Sequence, residues 1–485
     1  MIHCAVIPHA GEAGAMGSVG NQPSSPHVVM IGSPIISHCV VGLLLAKKLC
    51  AFGVHITVIN TESVITKLKA FEGLLGDDNR RLRVIMLPNG EGFTPSDSLP
   101  VLIRKAEERT SRYIMDDLKG LMESSQDWAP PCCAIVDLFA DWVLEITDPL
   151  MPSYILWTAG AASLSMLLHA PVLVAQGIIP MEDSETEKLK PVEFPCIPPL
   201  HPLEFIDSIA TPGFLASGFL VNSVYELESA VFDALNKHYQ VGAPSSKLQS
   251  IHSVGPLINT SDEPGAIAMR RDPVLEWLDK QPHASVLYVA FGSYYTLSAS
   301  QLIELGLEAS EQRFIWVVRP PSDLCPELEA QESEVPEYLP SVSMRIVLLI
   351  EFLLSIGVDI LQHPATGGFF THCGWSSVIE SISANLPMLA WPIQAEQKMN
   401  SRWLVDIAGA TLQVRSGFED FATREQVANA VRLLMCKDKG QDVRSNVSRL
   451  KELLQRGAAE SEYHSTNIKV FIEKLQQWTN RAYAS

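Results

Sequence analysis

From His363 to Gln397 the chain reads HPATGGFFTHCGWSSVIESISANLPMLAWPIQAEQ, a window whose residue types and spacing suit the binding of a phosphorylated sugar. A buried strand, Gly368 to Thr371, runs into His372-Cys373-Gly374-Trp375. Ser376 and Ser377 then open a helix through Ala384, and a second buried strand spans Pro387 to Trp391. Hydroxyls at a helix start stand beside backbone N–H groups that lack intrahelical partners, which makes a ready phosphate site. His372 and Trp375 fall at the C-terminal mouth of a strand, where open α/β sheets bind ligands. Glu380 follows Ser376 by four residues and shares its helix face. A cation-capable imidazole, small hydroxyls, a carboxylate and the Gln397 amide complete the set. An ordinary βαβ unit with a glycine turn is the competing reading of the same letters.

The surrounding elements alternate between strand and helix patterns from residue 27 onward, which predicts parallel sheets with crossover helices. Strands are expected at His27–Ile31, Val54–Ile59, Leu82–Leu87, Cys133–Val136, Ser153–Trp157 and Phe219–Asn222, with Ile251–Val254 as a further edge. Helices are expected at His38–Cys50, where Val41, Leu44, Leu45 and Leu49 recur every three or four residues, at Leu99–Ser124 and at Ala159–Leu173. Residues 177–212, rich in Pro, Glu and Asp, read as a long irregular loop. The second half opens with a short helix through Trp277, then strand Ser285–Phe291, a Gly292-Ser293 break, helix Ser298–Ser310 and strand Phe314–Val318. Thr423 and Gln426 form a capping box for a helix through Met435, and a last helix runs from about Thr466 to Trp478. The fold class is therefore α/β, two doubly wound Rossmann-like domains facing across a cleft. Residues 1–25 read as a disordered extension, 26–255 as the first domain, 256–272 as a linker, 273–460 as the second domain and 461–485 as a terminal helix.

At 485 residues the chain is long enough for two or three cores. Lys plus Arg total 36 against 55 Asp plus Glu, so the net charge is −19, which argues against nucleic acid and anionic membranes as partners. Nine scattered cysteines without a CxxC pair point to free thiols in a reducing compartment, hence the cytoplasm. The first residues lack the basic start and apolar core of a secretory signal. The longest apolar run, Ile346 to Leu361, carries Glu351 and Asp359 and is short for a membrane span, so no anchor is expected.

The window closely resembles the signature box of plant UDP-sugar-dependent glycosyltransferases, which glycosylate small secondary metabolites. The shared residues are His363-Pro364, Gly367-Gly368-Phe369, Thr371 to Trp375, Ser377, Glu380-Ser381, Pro387, Ala390-Trp391-Pro392 and Gln397. The resemblance implies the GT-B fold, an acceptor-binding first domain, a UDP-sugar-binding second domain and a terminal helix that packs back on the first. It implies that glucose passes from UDP-glucose, a co-substrate rather than a cofactor, to a hydroxyl of a small phenolic acceptor, with inversion. It further implies that His372, Ser376 and Ser377, beside Gly374, meet the pyrophosphate, with Ser293 reaching a phosphate oxygen. Glu380 would accept from ribose hydroxyls, while Trp375, Glu396 and Gln397 would hold the hexose. No metal is required, no cluster has metal-ligand spacing, and a monomer is expected.

Transfer needs a base for the acceptor proton. His38 occupies the place of the family's catalytic histidine, just after the first strand and its Ser33-Pro34 turn, although Ser37 replaces the usual glycine. An imidazole with an ordinary pKa of about 6.5 is mostly neutral near pH 7. Asp137, closing the strand before Leu138-Phe139, is the expected carboxylate partner, with Asp141 as its rival. The resemblance breaks at residues 341–357: Leu354 and Gly357 stand where the family has a uracil-stacking Trp and a Gln, and the match resumes at Val358. That break leaves open a second function, a small-molecule-binding relative with impaired donor affinity.

Overall fold

The computed structural model describes residues 25–69, 80–88, 99–123, 128–177, 191–194, 197–200, 216–239, 241, 248–258, 273–292, 306–318, 345–349, 353–393, 395–414, 422–435, 438–459 and 467–484. Runs of apolar residues that are buried from end to end become central strands, because a parallel sheet covered by helices hides both of its faces. HVVMI (β1, His27–Ile31) and CAIVD (β4, Cys133–Asp137) are such runs. With β2 (His55–Thr61), β3 (Leu82–Leu87), β5 (Ser153–Trp157), β8 (Gly218–Val221) and β9 (Ser250–Ser253) they form one seven-stranded sheet ordered β3-β2-β1-β4-β5-β8-β9. Every pairing in it is parallel.

The second sheet repeats this logic with six parallel strands in the order β12-β11-β10-β13-β14-β15. Its members are β10 (Val286–Ala290), β11 (Arg313–Val318), β12 (Arg345–Leu349), β13 (Thr366–Thr371), β14 (Met388–Ala390) and β15 (Thr411–Gln413). In both sheets the first strand sits at the centre and the chain winds outward in each direction. The order reverses between β1 and β4 in one lobe and between β10 and β13 in the other, and ligands bind at such reversals.

The helices are α1 (Ile36–Ala51), α2 (Glu62–Lys69), α3 (Leu99–Glu123), α4 (Leu144–Thr147), α5 (Ala161–Ala175), α6 (Tyr225–His238) and α7 (Pro273–Leu278). They continue with α8 (Leu353–Gln362), α9 (Trp375–Ser383), α10 (Gln397–Arg402), α11 (Arg424–Met435), α12 (Asp438–Ala458) and α13 (Ile468–Ala484). The expected capping box precedes α11: Gln426 Oε1 accepts the Thr423 N–H at 2.7 Å and Thr423 Oγ1 accepts the Gln426 N–H at 3.3 Å. Helix α13 returns to the first lobe, where Ile468, Phe471 and Leu475 join the core formed by Val28, Ile56, Tyr154 and Leu220. Phe471 meets Tyr154 edge-on, with ring centroids 5.1 Å apart.

Two expectations need correction, and one stretch without a sequence-based assignment gains a strand. Part of the segment read as an irregular loop pairs as an antiparallel hairpin, β6 (Val192–Phe194) with β7 (Ile197–Leu200). Its Phe194, Ile197 and Leu200 are buried, so apolar burial outweighs the Pro-rich composition. The apolar stretch where the resemblance breaks supplies β12, which pairs with β11 from Phe314↔Arg345 to Val318↔Leu349. Helix α9 begins at Trp375 with Gly374 as its N-cap, so Ser376 and Ser377 lie inside the first turn and neither is the cap. Ser293, most of the helix expected at 298–310 and most of the linker lie outside the described residues, as do residues 1–24.

Candidate active site

The two sheet reversals place two sets of polar groups in the cleft. On the N-lobe, α1 leaves β1 after the Ser33-Pro34 turn and presents His38, while β4 ends in Asp137. The two residues are 99 positions apart, yet His38 Nδ1 lies 2.9 Å from Asp137 Oδ2. Asp137, rather than Asp141, is therefore the partner. Its other oxygen accepts the Phe139 N–H at 2.9 Å, which fixes the carboxylate's orientation. The pair is well shielded, with the His38 side chain 20% exposed and that of Asp137 5%. Burial pushes the imidazole pKa down, but the charge and hydrogen bond of Asp137 outweigh it and hold His38 above 6.5. With Nδ1–H donated to the carboxylate, Nε2 is the nitrogen left to receive a proton, as in other carboxylate–imidazole pairs. Thr158, directly after β5, brings its hydroxyl to 3.3 Å from Nε2.

On the C-lobe, β13 turns into α9 through His372-Cys373-Gly374. Cys373 takes φ of 66°, a left-handed conformation that costs a non-glycine residue on the order of 1 kcal/mol or more. Its N–H bonds Thr371 Oγ1 at 3.2 Å and its carbonyl accepts from Asn400 Nδ2 at 2.9 Å, which hold the turn. The His372 ring packs between two glycines: Nε2 lies 2.7 Å and 2.6 Å from where a Cβ would stand on Gly292 and Gly374. Gly292 also has φ of 81°, so glycine is required there twice over. Burial lowers the His372 pKa to about 4. Near neutral pH the cation-capable imidazole of the sequence reading is therefore held uncharged in this site, able to donate one hydrogen bond.

The Gly374 N-cap of α9 supplies no side-chain bond, so beyond the Trp375 N–H the first turn offers backbone N–H groups beside the half-buried Ser376 and Ser377 hydroxyls. The Trp375 N–H donates to the Glu396 carboxylate, whose pKa burial raises while His38, across the cleft, lowers it. Glu380 lies further along α9, where desolvation pushes its pKa up to about 7. The Tyr288 hydroxyl is buried in the field of Glu380 and finds no hydrogen-bond partner. Gln397 is buried and its Oε1 accepts the Ile393 N–H at 3.0 Å, so its carbonyl oxygen faces its own loop. The Trp375 indole is also engaged: its N–H donates to the Asn222 carbonyl of the N-lobe at 2.6 Å.

The structure thus brings His38, Asp137, Glu396 and Trp375 together across the cleft, with His372 and Gly374 in contact beside them and with Ser376, Ser377 and Glu380 on α9 and Gln397 at the start of α10. Sequence reasoning missed Thr158 and Asn222. Each directly follows a central strand, β5 or β8, and that position was the available signal. Among the described residues no group of three or more His, Cys, Asp or Glu side chains could hold a metal ion, and no helix is long and apolar enough to cross a membrane.

Two doubly wound lobes with polar groups converging at both sheet reversals define the GT-B architecture of nucleotide-sugar glycosyltransferases. The family model described as UDP-glucoronosyl and UDP-glucosyl transferase matches residues 227–455. UDP-glycosyltransferase 72E3 of Arabidopsis thaliana is 32% identical over 463 residues, spanning 88% of this chain and 91% of that one. Hydroquinone glucosyltransferase of Rauvolfia serpentina is 29% identical, spanning 94% of this chain and 98% of that one. Among solved structures, Phytolacca americana UGT2 complexed with UDP-2fluoro-glucose and pterostilbene matches with a TM-score of 0.74 at 26% identity, covering 94% of this chain and all of that one (100%). The chain belongs to the plant UDP-glycosyltransferase family and is an enzyme of glycosyl transfer.

Proposed function

We propose that the enzyme moves glucose from UDP-glucose to a hydroxyl of a small phenolic acceptor with inversion at the anomeric carbon. The observation that carries this reading is the His38–Asp137 pair, 2.9 Å apart, facing the α9 turn across the cleft. His38 Nε2 takes the acceptor proton. Asp137 holds the ring in the tautomer that permits this and stabilises the imidazolium that forms. The oxygen freed of its proton attacks the anomeric carbon, the bond to UDP breaks, and UDP leaves with the electron pair.

The C-lobe holds the donor in this reading. The α9 N–H groups, Ser376 and Ser377 take the diphosphate, a natural ligand of an uncapped helix start. His372 donates one hydrogen bond to it. Glu380 accepts from the ribose hydroxyls, and Glu396 with Gln397 borders the hexose. No metal enters the reaction, and the enzyme acts as a cytoplasmic monomer. The phenolic acceptor is supported by what similar proteins are named for, hydroquinone in one and pterostilbene in another.

The test is incubation with UDP-glucose and a panel of phenols, followed by assignment of the product's anomeric configuration by NMR. A β-glucoside from the α-linked donor is expected, and an α-glucoside would end the inverting mechanism. Leu354 stands where the family stacks uracil on a Trp, and base–aromatic stacking is worth about 1–3 kcal/mol. UDP titration should therefore give weaker binding than in relatives that keep the tryptophan.

A further inference from the structure

One contact between the lobes runs through the side chain of a residue at the α9 turn. Trp375 opens α9, yet its indole is 3% exposed and donates to Asn222 O across 153 positions of sequence. The edge of the indole rests on Gly160. A Cβ built there would stand 2.9 Å from Trp375 Cζ2 and Cη2 and 3.0 Å from Glu228 Oε2. Only a residue without a side chain permits this approach.

The turn that forms the socket, Thr158-Ala159-Gly160, is gripped from within its own lobe. Glu228 accepts the N–H groups of Ala161 and Ala162 at 2.8 Å each. Asn222 Nδ2 donates to Thr158 O at 3.3 Å. The Trp157 indole and the Ser163 hydroxyl both donate to Gly160 O at 2.9 Å. Glu228 is 3% exposed, and α6 departs from helical dihedrals where it presents this carboxylate, at φ −128° and ψ 32°. Burying a carboxyl group is unfavourable unless hydrogen bonds compensate, and an ordinary helix start is served by Ser, Thr or Asn. A buried Glu reaching from a different helix is more than α5 alone requires.

Two routes lead from the socket to the reacting groups. In the N-lobe, Thr158 carries the hydroxyl 3.3 Å from His38 Nε2. In the C-lobe, the backbone N–H of the same Trp375 holds the Glu396 carboxylate. We propose that the Gly160 socket sets the spacing of the two lobes during transfer, and that Glu228 and Asn222 are the positioning residues that shape it. The proposal rests on His38 acting as the base.

Gly160→Ala places one methyl group where the indole lies and changes no charge. A fall in kcat of about ten- to hundredfold is expected, the size of effect that a displacement of about 1 Å produces. UDP affinity by calorimetry should stay within about threefold, with the parent's binding stoichiometry, since the donor lobe is untouched. Trp375→Phe removes the ring atoms that the methyl would strike. Gly160→Ala should therefore cost far less in the Trp375→Phe background than in the parent. Single effects that simply multiply in the double variant would overturn the proposal, as would a Gly160→Ala kcat within about twofold of the parent. Should Gly160→Ala not fold, Glu228→Gln gives the second reading: lower kcat at unchanged UDP stoichiometry supports the proposal, and unchanged kcat overturns it. His38→Ala is assayed in parallel. If it keeps turnover while the Gly160–Trp375 coupling remains, the base assignment falls and the socket stands.

Discussion

The two halves of the cleft treat their polar groups in opposite ways. Around His38 the groups are matched within the protein: imidazole to Asp137 Oδ2, and Asp137 Oδ1 to the Phe139 N–H. On the C-lobe, His372 Nδ1, Tyr288 OH and Asn400 Oδ1 are buried without a hydrogen-bond partner. Buried polar atoms are nearly always satisfied, and the N-lobe has exceptions of its own away from His38, among them His55 Nδ1 and Trp142 Nε1, so the contrast is confined to the surroundings of the His38–Asp137 pair. A base must be oriented before its substrate arrives, and internal bonds do this. A surface that recognises phosphates and sugar hydroxyls must instead keep donors and acceptors uncommitted.

This contrast can be broken most sharply by His38→Ala. A fall in kcat on the order of 10²–10⁴ is expected, as for loss of a general base, with UDP affinity unchanged by titration. Retained turnover would remove His38 from the base role. Glu380→Gln should do the reverse. It removes a charged acceptor worth about 1.5–3 kcal/mol, so the donor KM rises tenfold or more while kcat changes little. If kcat falls instead, the division of labour between the lobes is wrong.

The pH dependence separates the same two groups. In the proposed reaction His38 acts as a neutral imidazole, and its pKa is raised above 6.5, so kcat/KM should fall as the pH drops through that pKa and the ring protonates. In Asp137→Asn the limb should shift to lower pH, because the charge that raised the pKa is gone. Glu380, with its pKa of about 7, is proposed to accept from the ribose hydroxyls when ionised, so the donor KM should rise severalfold as the pH falls below 7. The smallest effect is expected for Tyr288→Phe. Its hydroxyl has no partner to lose, so stability should change by less than about 1 kcal/mol, read as a thermal midpoint.

Much of this arrangement was legible because parallel strands advertise themselves. Fully buried apolar runs marked β1, β4, β5 and β13, the rule that ligands bind at their C-terminal ends pointed to His372, and the family resemblance singled out His38 and Asp137 at such ends. What stayed hidden depends on contacts far away in sequence or on backbone geometry. Pro and Glu masked the β6–β7 hairpin, whose burial against the rest of the lobe decides its structure. A glycine caps α9 without leaving a side-chain signal, so the helix starts one residue earlier than its serines suggest. Nothing local to Trp375 announces that its indole reaches Asn222, and nothing local to Gln397 announces that its carbonyl turns to Ile393.

Helix α13 has a consequence for biosynthesis. The N-lobe is translated first, yet Ile468, Phe471 and Leu475 fill the same core as β1 and β2. Until those late residues leave the ribosome, one flank of the first sheet presents Tyr154 and its apolar neighbours to water. Nascent chains halted before that point are the species most prone to chaperone capture or clumping, and they outlast the completed enzyme only if something covers that flank in its place.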